Sequence, residues 1–191
     1  MTPAVDLDTQ LMIRVQRNDA SSFGELLTRN RNLVVNYLSR MVVNRAVAEE
    51  LAQDVFVRVY RSRQTYEPTA KFSTWLYRIT TNVALNHFRD EKRTQNQISL
   101  DVQGAAQVRR EAQDRAPLIE DRLVREVSVR QIRHAIRVLP PKQRAAVIMH
   151  KYDEMDYTQI SRVLGCSPSA VKALMFRAYE TLRLRLSGLQ A

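Results

Sequence analysis

The residues with most to offer chemically lie between Lys71 and Arg93, KFSTWLYRITTNVALNHFRDEKR. Asn82, Asn86 and His87 put hydrogen-bonding groups into an otherwise apolar run. Around them stand the aromatics Phe72, Trp75 and Phe88, and behind them a basic cluster of Arg89, Lys92 and Arg93. Rings stack on bases, amides bond to base edges and cations neutralise phosphate, so this mixture suits nucleic acid. Nothing comparable points to covalent chemistry. There is no glycine-rich phosphate loop and no pairing of serine or cysteine with histidine. His87, His134 and His150 are scattered without metal-ligand spacing. No enzymatic activity, metal or cofactor is expected.

One helix must carry these side chains. Phe72, Trp75, Leu76, Ile79, Val83, Leu85 and Phe88 recur at helical spacing, which predicts a helix over 71–93 with its basic end at the negative pole of the helix dipole. The rest of the chain supports an all-α fold. With 191 residues, 45% hydrophobic, only 4 Gly and 6 Pro, and no regular alternation, it has material for helical cores and little for sheets. Asp8 or Thr9 can cap a first helix with Leu11, Met12 and Val15 on one face. Asp19 or Ser21 can cap a second, which Asn44 is expected to end. A third begins near Ala46, and QTYEPTA over 64–70 is a loop. Residues 1–93 thus form a four-helix unit. The stretch 94–117 has few large apolar residues and reads as a flexible linker, partly helical near 107–114. A second unit, 118–191, opens with a helix that stops at Leu139 before the two prolines, and Pro141 suits the first turn of the next.

The second unit ends in YTQISRVLGCSPSAVKALMFRAYETLRLRL, whose spacing fits a helix-turn-helix. Ile160 and Leu164 point inward, Ser161 is small where the helices cross, and Gly165 stands at the turn, where positive φ is often needed. Ser167 can cap the second helix, with Pro168 in its first turn. A stripe of Val171, Leu174, Ala178 and Leu182 is expected to be buried, leaving Ser169, Lys172, Ala173, Phe176, Arg177 and Glu180 outside. Small residues allow close approach to a groove, and Lys172 and Arg177 supply charge for bases and phosphates. The net charge of +10, from 30 Lys+Arg against 20 Asp+Glu, also calls for an anionic partner.

Four stretches, AEELAQDVFVRVYR, KFSTWLYRITTNVALNHFR, LPPKQRAAVIMHKYDEMDYTQISRVLGCS and SAVKALMFRA, carry a resemblance to the extracytoplasmic-function sigma factors of bacterial RNA polymerase. The resemblance covers nearly the whole chain. It implies an N-terminal domain (region 2, 1–93) that binds core polymerase and the −10 promoter element. It also implies a C-terminal domain (region 4, 118–191) that reads the −35 element. By position, Gln53, Asp54, Phe56 and Arg58 correspond to the helix that docks on the β′ clamp of the polymerase. Tyr66, Lys71, Phe72 and Asn82 correspond to the loop and helix face that capture a base flipped from the −10 strand. Asn86, His87 and Arg89 correspond to a face toward promoter DNA. Lys172, Ala173, Phe176 and Arg177 correspond to the −35 readers, joined by Ser169. Leu174 stands where many members carry arginine, and Ala173 where many carry serine, so the −35 sequence does not transfer.

The implied function is therefore to recruit core polymerase, through its β′ clamp and β flap, to a promoter and to favour melting by holding flipped bases. An anti-sigma factor, often membrane-anchored in this family, is the implied inhibitor, and the free chain is expected to be a monomer. The alternative is a helix-turn-helix repressor or activator that acts without polymerase. A nucleic-acid-modifying enzyme would need clustered carboxylates or metal ligands. The acidic start MTPAVDLDTQ, the lack of an apolar run of about 20 residues, and a single cysteine, Cys166, together lead us to expect a cytoplasmic protein.

Overall fold

The structure is a computed structural model that describes residues 6–101 and 130–187. Among these residues there are helices and no strands, so the chain is all-α. Helix α1 spans Leu7–Gln16, α2 Ala20–Met41, α3 Arg45–Arg61 and α4 Phe72–Asp101. Residues 130–137 form α5, followed by α6 (Pro141–Tyr152), α7 (Tyr157–Leu164) and α8 (Pro168–Leu186). The segments 102–117 and 118–129 lie outside the described residues, so the partly helical stretch expected at 107–114 and most of the helix expected over 118–139 do as well.

Caps explain most of the boundaries. Asp6, not Asp8 or Thr9, caps α1, accepting from the Thr9 amide at 2.9 Å. Asp8 is instead inside the helix, paired with Arg29 of α2 at 2.7 Å. Asp19 caps α2 by accepting from the Ser21 and Ser22 amides, and these bonds hold its carboxyl below the ordinary range, the Ser22 hydroxyl foremost. Helix α2 stops at Met41, and Asn44 does not end it but caps α3, accepting from the Ala46 amide at 2.8 Å. Each such cap stabilises its helix by about 1 kcal/mol.

Helix α4 departs furthest from expectation. It runs on to Asp101, eight residues past Arg93, through the start of the stretch read as linker. TQNQISLD contains neither Pro nor Gly to stop it. Arg89, Lys92 and Arg93 consequently lie within the helix rather than at its end, so the dipole gives no reason for their position.

In the first unit α1, α3 and α4 all pack on α2, and α3 also packs on α4. The buried side chains include Leu11, Met12, Leu26, Val34, Leu38, Val55, Val59, Phe72 and Leu76. Three polar side chains in this core are matched: Tyr37 and Thr81 share a hydrogen bond of 2.9 Å, and Thr80 donates to the Leu76 carbonyl at 2.8 Å. In the second unit α8 packs on α6 and α7, burying Ile148, Met149, Ile160, Val163, Val171, Met175 and Ala178.

The two units are joined by more than the segment between them. Helix α6 packs on α2 and α4, and α7 packs on α4, so one buried apolar cluster runs through both. Polar contacts line the seam. Arg144 of α6, 8% exposed, donates to the Met41 carbonyl at the end of α2 (2.6 Å) and to the Arg137 and Leu139 carbonyls of its own unit. Its guanidinium also lies 4.8 Å from the Phe88 ring centre. Arg40 sits 4.6 Å over the Tyr152 ring, and Tyr77 lies beside Asp153.

Candidate nucleic-acid interface

At about 100° per residue, α4 divides into three faces. The first, Phe72, Leu76, Ile79, Val83, turns into the core of the first unit. The second, Tyr77, Thr81, Ala84 and Phe88, is buried or half-buried, and its ends meet the second unit, Tyr77 at Asp153 and Phe88 at Arg144. The third stays outside: Lys71, Arg78, Asn82, Arg89 and Arg93 are exposed and recur at intervals of four and seven residues, one continuous stripe. From Lys71, just before the first turn of α4, to Arg93 it spans 23 residues, about 33 Å along the axis. Arg78, which the sequence reading passed over, belongs to it. The signal was available, since Arg78 falls four residues before Asn82 and seven after Lys71.

The aromatic part of the expected base-capture set is elsewhere. Tyr66 is 3% exposed and Phe72 is fully buried. With the half-buried Trp75 they form a cluster of edge-on and tilted rings, with centroids 4.9 to 6.1 Å apart. Tyr66 is pinned further: its hydroxyl donates to Thr9 at 3.4 Å and its carbonyl accepts from Gln16 at 2.7 Å. Burial raises the phenol pKa of Tyr66. Asn82 follows Phe72 by ten residues, about 15 Å along the axis, so it does not share a pocket with the buried rings. Tyr66 and Phe72 thus hold the loop against the helix, and Trp75 presents the ring surface beside the stripe.

His87 also sits differently from its expected DNA-facing position. It points away from Asn82, toward α3, 3.6 Å from Glu91. There it lines a groove of about 450 Å³ with Asn86, Asp90, Asp54 and Arg58. Asp54 and Arg58 pair at 2.9 Å, one helical turn apart. The residues expected to split between polymerase and promoter are thus neighbours, with Asn86 between the groove and the stripe. Of the remaining docking set, Gln53 is exposed and Phe56 is 6% exposed, core-packed at the floor of a second groove. That groove, about 420 Å³ between α2 and α3, is also lined by Phe23, Leu27, Val57 and Tyr60.

In the second unit the helix-turn-helix geometry follows the sequence closely. Asp156 and Gln159 form a capping box on α7, Gly165 takes φ +62° at the turn, and Ser167 caps α8 through the Ala170 amide. Ser161 is buried at the crossing and donates to the Thr158 carbonyl at 2.7 Å. Ser169, Lys172, Ala173, Phe176 and Arg177 are all exposed on α8, Phe176 by 67%. Arg177 is tethered by a 3.2 Å bond to the Ala173 carbonyl, and Ser169 shares a bond with Ser167 at 2.8 Å. The buried stripe is Val171, Met175 and Ala178, with Leu182 half-buried. Met175 replaces the expected Leu174, which lies at the stripe's edge, because the i, i+4, i+7 step from Val171 lands on Met175.

Among the described residues no group of three or more metal-ligating side chains converges, and no helix is long and apolar enough to cross a membrane. The interface has cations, amides and rings suited to binding.

Comparison with known proteins agrees. Residues 26–94 match the family described as Sigma-70 region 2, and residues 129–182 match Sigma-70, region 4. The RNA polymerase sigma factor CarQ of Myxococcus xanthus is 33% identical over 94% of this chain and 97% of its own. The ECF RNA polymerase sigma factor SigW of Bacillus subtilis is 29% identical over 92% and 95%. The fold is that of the sigma factor RpoE in complex with the anti-sigma factor NepR from Bartonella quintana, with a TM-score of 0.64 at 20% identity over 88% of this chain and 98% of that one. Two exposed basic surfaces on a helical frame, with both matches lying on the units that carry them, make this chain a member of the sigma-70 family of RNA polymerase sigma factors, of the extracytoplasmic-function type.

Proposed function

We propose a division of labour within this sigma factor. The first unit, expected over 1–93, engages core polymerase and the −10 element; the second, expected over 118–191, reads the −35 element; and 94–117 connects them. The observation that carries this reading is the exposed stripe of α4. Lys71, Arg78, Arg89 and Arg93 form a track for a phosphate backbone, and Asn82 sits in its middle with an amide free to bond a base edge. Holding an unstacked base there offsets part of the few kcal/mol that extruding it costs, and so favours the melted promoter. Ser169, Lys172, Ala173, Phe176 and Arg177 form the −35 surface. Gln53, Asp54 and Arg58 contact the β′ clamp, with Phe56 packed behind them and His87 beside them, and the second unit meets the β flap.

We also infer that an anti-sigma factor holds the chain inactive, recruiting it to the membrane where that partner is anchored. Support comes from the relative RpoE, whose structure was solved with the anti-sigma factor NepR. Run-off transcription tests the whole reading. The chain plus core polymerase should yield a specific transcript from a promoter bearing both elements. Tight duplex binding by the chain alone, with no transcript, would overturn it in favour of a helix-turn-helix repressor or activator.

A further inference from the structure

The loop between α3 and α4, residues 62–71, is held from outside by α1, and it ends at Lys71, the first cation of the exposed stripe. Two glutamines bracket it. Gln64 donates its side-chain amide to the Gln16 carbonyl at 3.0 Å, in the last turn of α1, where carbonyls lack a helical partner. Gln16 returns a bond of 2.7 Å from its own side-chain amide to the Tyr66 carbonyl. Beside them Asn18, at a φ of 65° that asparagine tolerates, accepts from Arg63 at 3.3 Å. Toward the start of α1 the Tyr66 hydroxyl reaches Thr9 at 3.4 Å, and Thr9 is itself bonded to Asp6. Thr9 and Gln16 are seven residues apart, so α1 grips the loop at two points about 10 Å from each other.

These bonds matter beyond the loop because of what Tyr66 touches. Its ring lies 4.9 Å from Trp75 and 6.1 Å from Phe72, centre to centre. Phe72 is fully buried, while Trp75 is half-buried and shows ring surface beside the stripe. A path of contacts therefore runs from the Gln16 amide through the Tyr66 backbone and ring to Trp75. Glu67, Pro68 and Thr69, between Tyr66 and Lys71, are exposed, and the Thr69 amide bonds the Glu67 carbonyl at 2.8 Å. A segment that buries so little of itself depends on its anchor for order. Arg63 serves the same mount rather than phosphate. It donates to the Tyr60 carbonyl at 3.0 Å and lies 4.1 Å over the Tyr60 ring.

We propose that Gln16 is a positioning residue for promoter melting: through the Tyr66 carbonyl it sets the loop, and with it the Trp75 ring and Lys71, in the orientation that receives an unstacked base of the −10 strand. The proposal deepens the −10 assignment given above and rests on it. A surface that is already ordered loses less conformational entropy when a base arrives, so more of the stacking energy favours the melted state. A loosened surface must order itself at that moment. Capture is then weaker, while core polymerase and the −35 contact are untouched.

Trp75 is the single tryptophan of the chain, so its fluorescence reports on the mount directly. Gln16→Met keeps side-chain length and helix propensity and removes the donor. In the full free chain it should lower Trp75 anisotropy and raise acrylamide quenching at unchanged far-UV helicity. Gln64→Ala, at an exposed position, should do the same to a smaller degree. With core polymerase and promoter DNA, Gln16→Met should slow opening about threefold to tenfold, the effect of one lost hydrogen bond, read by permanganate reactivity of unpaired thymines. Core affinity and the upstream footprint should stay the same. Unchanged Trp75 signals in Gln16→Met would overturn the positioning role, and so would an equal loss of core binding or of the upstream footprint, which marks a general loss of fold. Asn82→Ala separates the two ways of failing. If it opens slowly while Gln16→Met opens normally, the positioning role falls and the −10 assignment stands. Normal opening in both takes down the −10 assignment, and the positioning role with it.

Discussion

Arg144 donates to the Met41 carbonyl at 2.6 Å across 103 positions of sequence, so a side chain of the second unit caps a helix of the first. Burial lowers the pKa of this guanidinium, which the surrounding carbonyls hold in place. Arg144→Met keeps the length and removes the bonds, leaving buried carbonyls unpaired. It should destabilise the chain by about 3 kcal/mol, since each buried group left unsatisfied costs about 1–3 kcal/mol. Urea unfolding checks this through a lower midpoint; an unchanged midpoint would show that water replaces the guanidinium without loss.

Asp153 makes the seam sensitive to pH. Desolvation raises its pKa, partly opposed by the Tyr77 bond and the charge of Arg40. A native pKa above the unfolded value means the native state binds the proton more tightly. The contribution of Asp153 to stability is therefore most favourable below the ordinary aspartate range, about pH 4, and is lost as pH rises through the raised native value. Asp153→Asn keeps an acceptor for Tyr77 and never ionises. It should raise the urea midpoint at pH 7, with the gain vanishing near pH 3. A gain constant over that range would assign the effect to something other than ionisation.

On α4, Asn82→Ala should impair promoter opening while leaving the −35 contact intact, read by permanganate reactivity of unpaired thymines beside a footprint of the upstream element. Arg78→Ala should weaken binding similarly on every sequence and reduce the salt slope by about one, because a phosphate contact carries no base information. Normal opening in Asn82→Ala would remove the amide from the base-reading role.

Arg177 is an exposed cation on α8, held by a bond to the Ala173 carbonyl, and is proposed above as part of the −35 surface. Arg177→Ala should cost about 1–3 kcal/mol of promoter affinity, concentrated at one base position of the −35 element. A loss equal across all sequences would make it a phosphate contact.

Gly165 holds φ at +62° with open space where a Cβ would stand. Gly165→Ala should therefore destabilise by about 1–2 kcal/mol through backbone strain alone, with Gly165→Asn falling between. Thermal unfolding of the three chains orders them; equal midpoints would mean the turn relaxes.

How far the sequence could be read depended on how local the cause was. The helix-turn-helix was legible down to its caps because Asp156, Gly165, Ser167 and Pro168 act on backbone within four residues. The end of α4 was not, since Thr94 to Asp101 has low apolar content but no breaker, and composition suggested a linker where the backbone had no reason to stop. Tyr66 and Phe72 were assigned to an exposed surface by resemblance, yet they are buried against Trp75. Aromatic type alone does not distinguish a stacking platform from a core ring.

By itself the sequence determined the all-α class, the helix-turn-helix, the basic character and the family, because period, capping and charge are written in residues a few positions apart. Only the tertiary structure decided which side of α4 faces which neighbour. Asn82 and His87 are five residues apart, but five steps of about 100° turn them to different sides, one to solvent and one to Asp54 and Arg58 of α3. The seam was beyond the sequence for the same reason. No local pattern links Met41 to Arg144 or Tyr77 to Asp153, and each contact exists because the packing of α6 and α7 on α2 and α4 brings distant polar groups together where water is excluded.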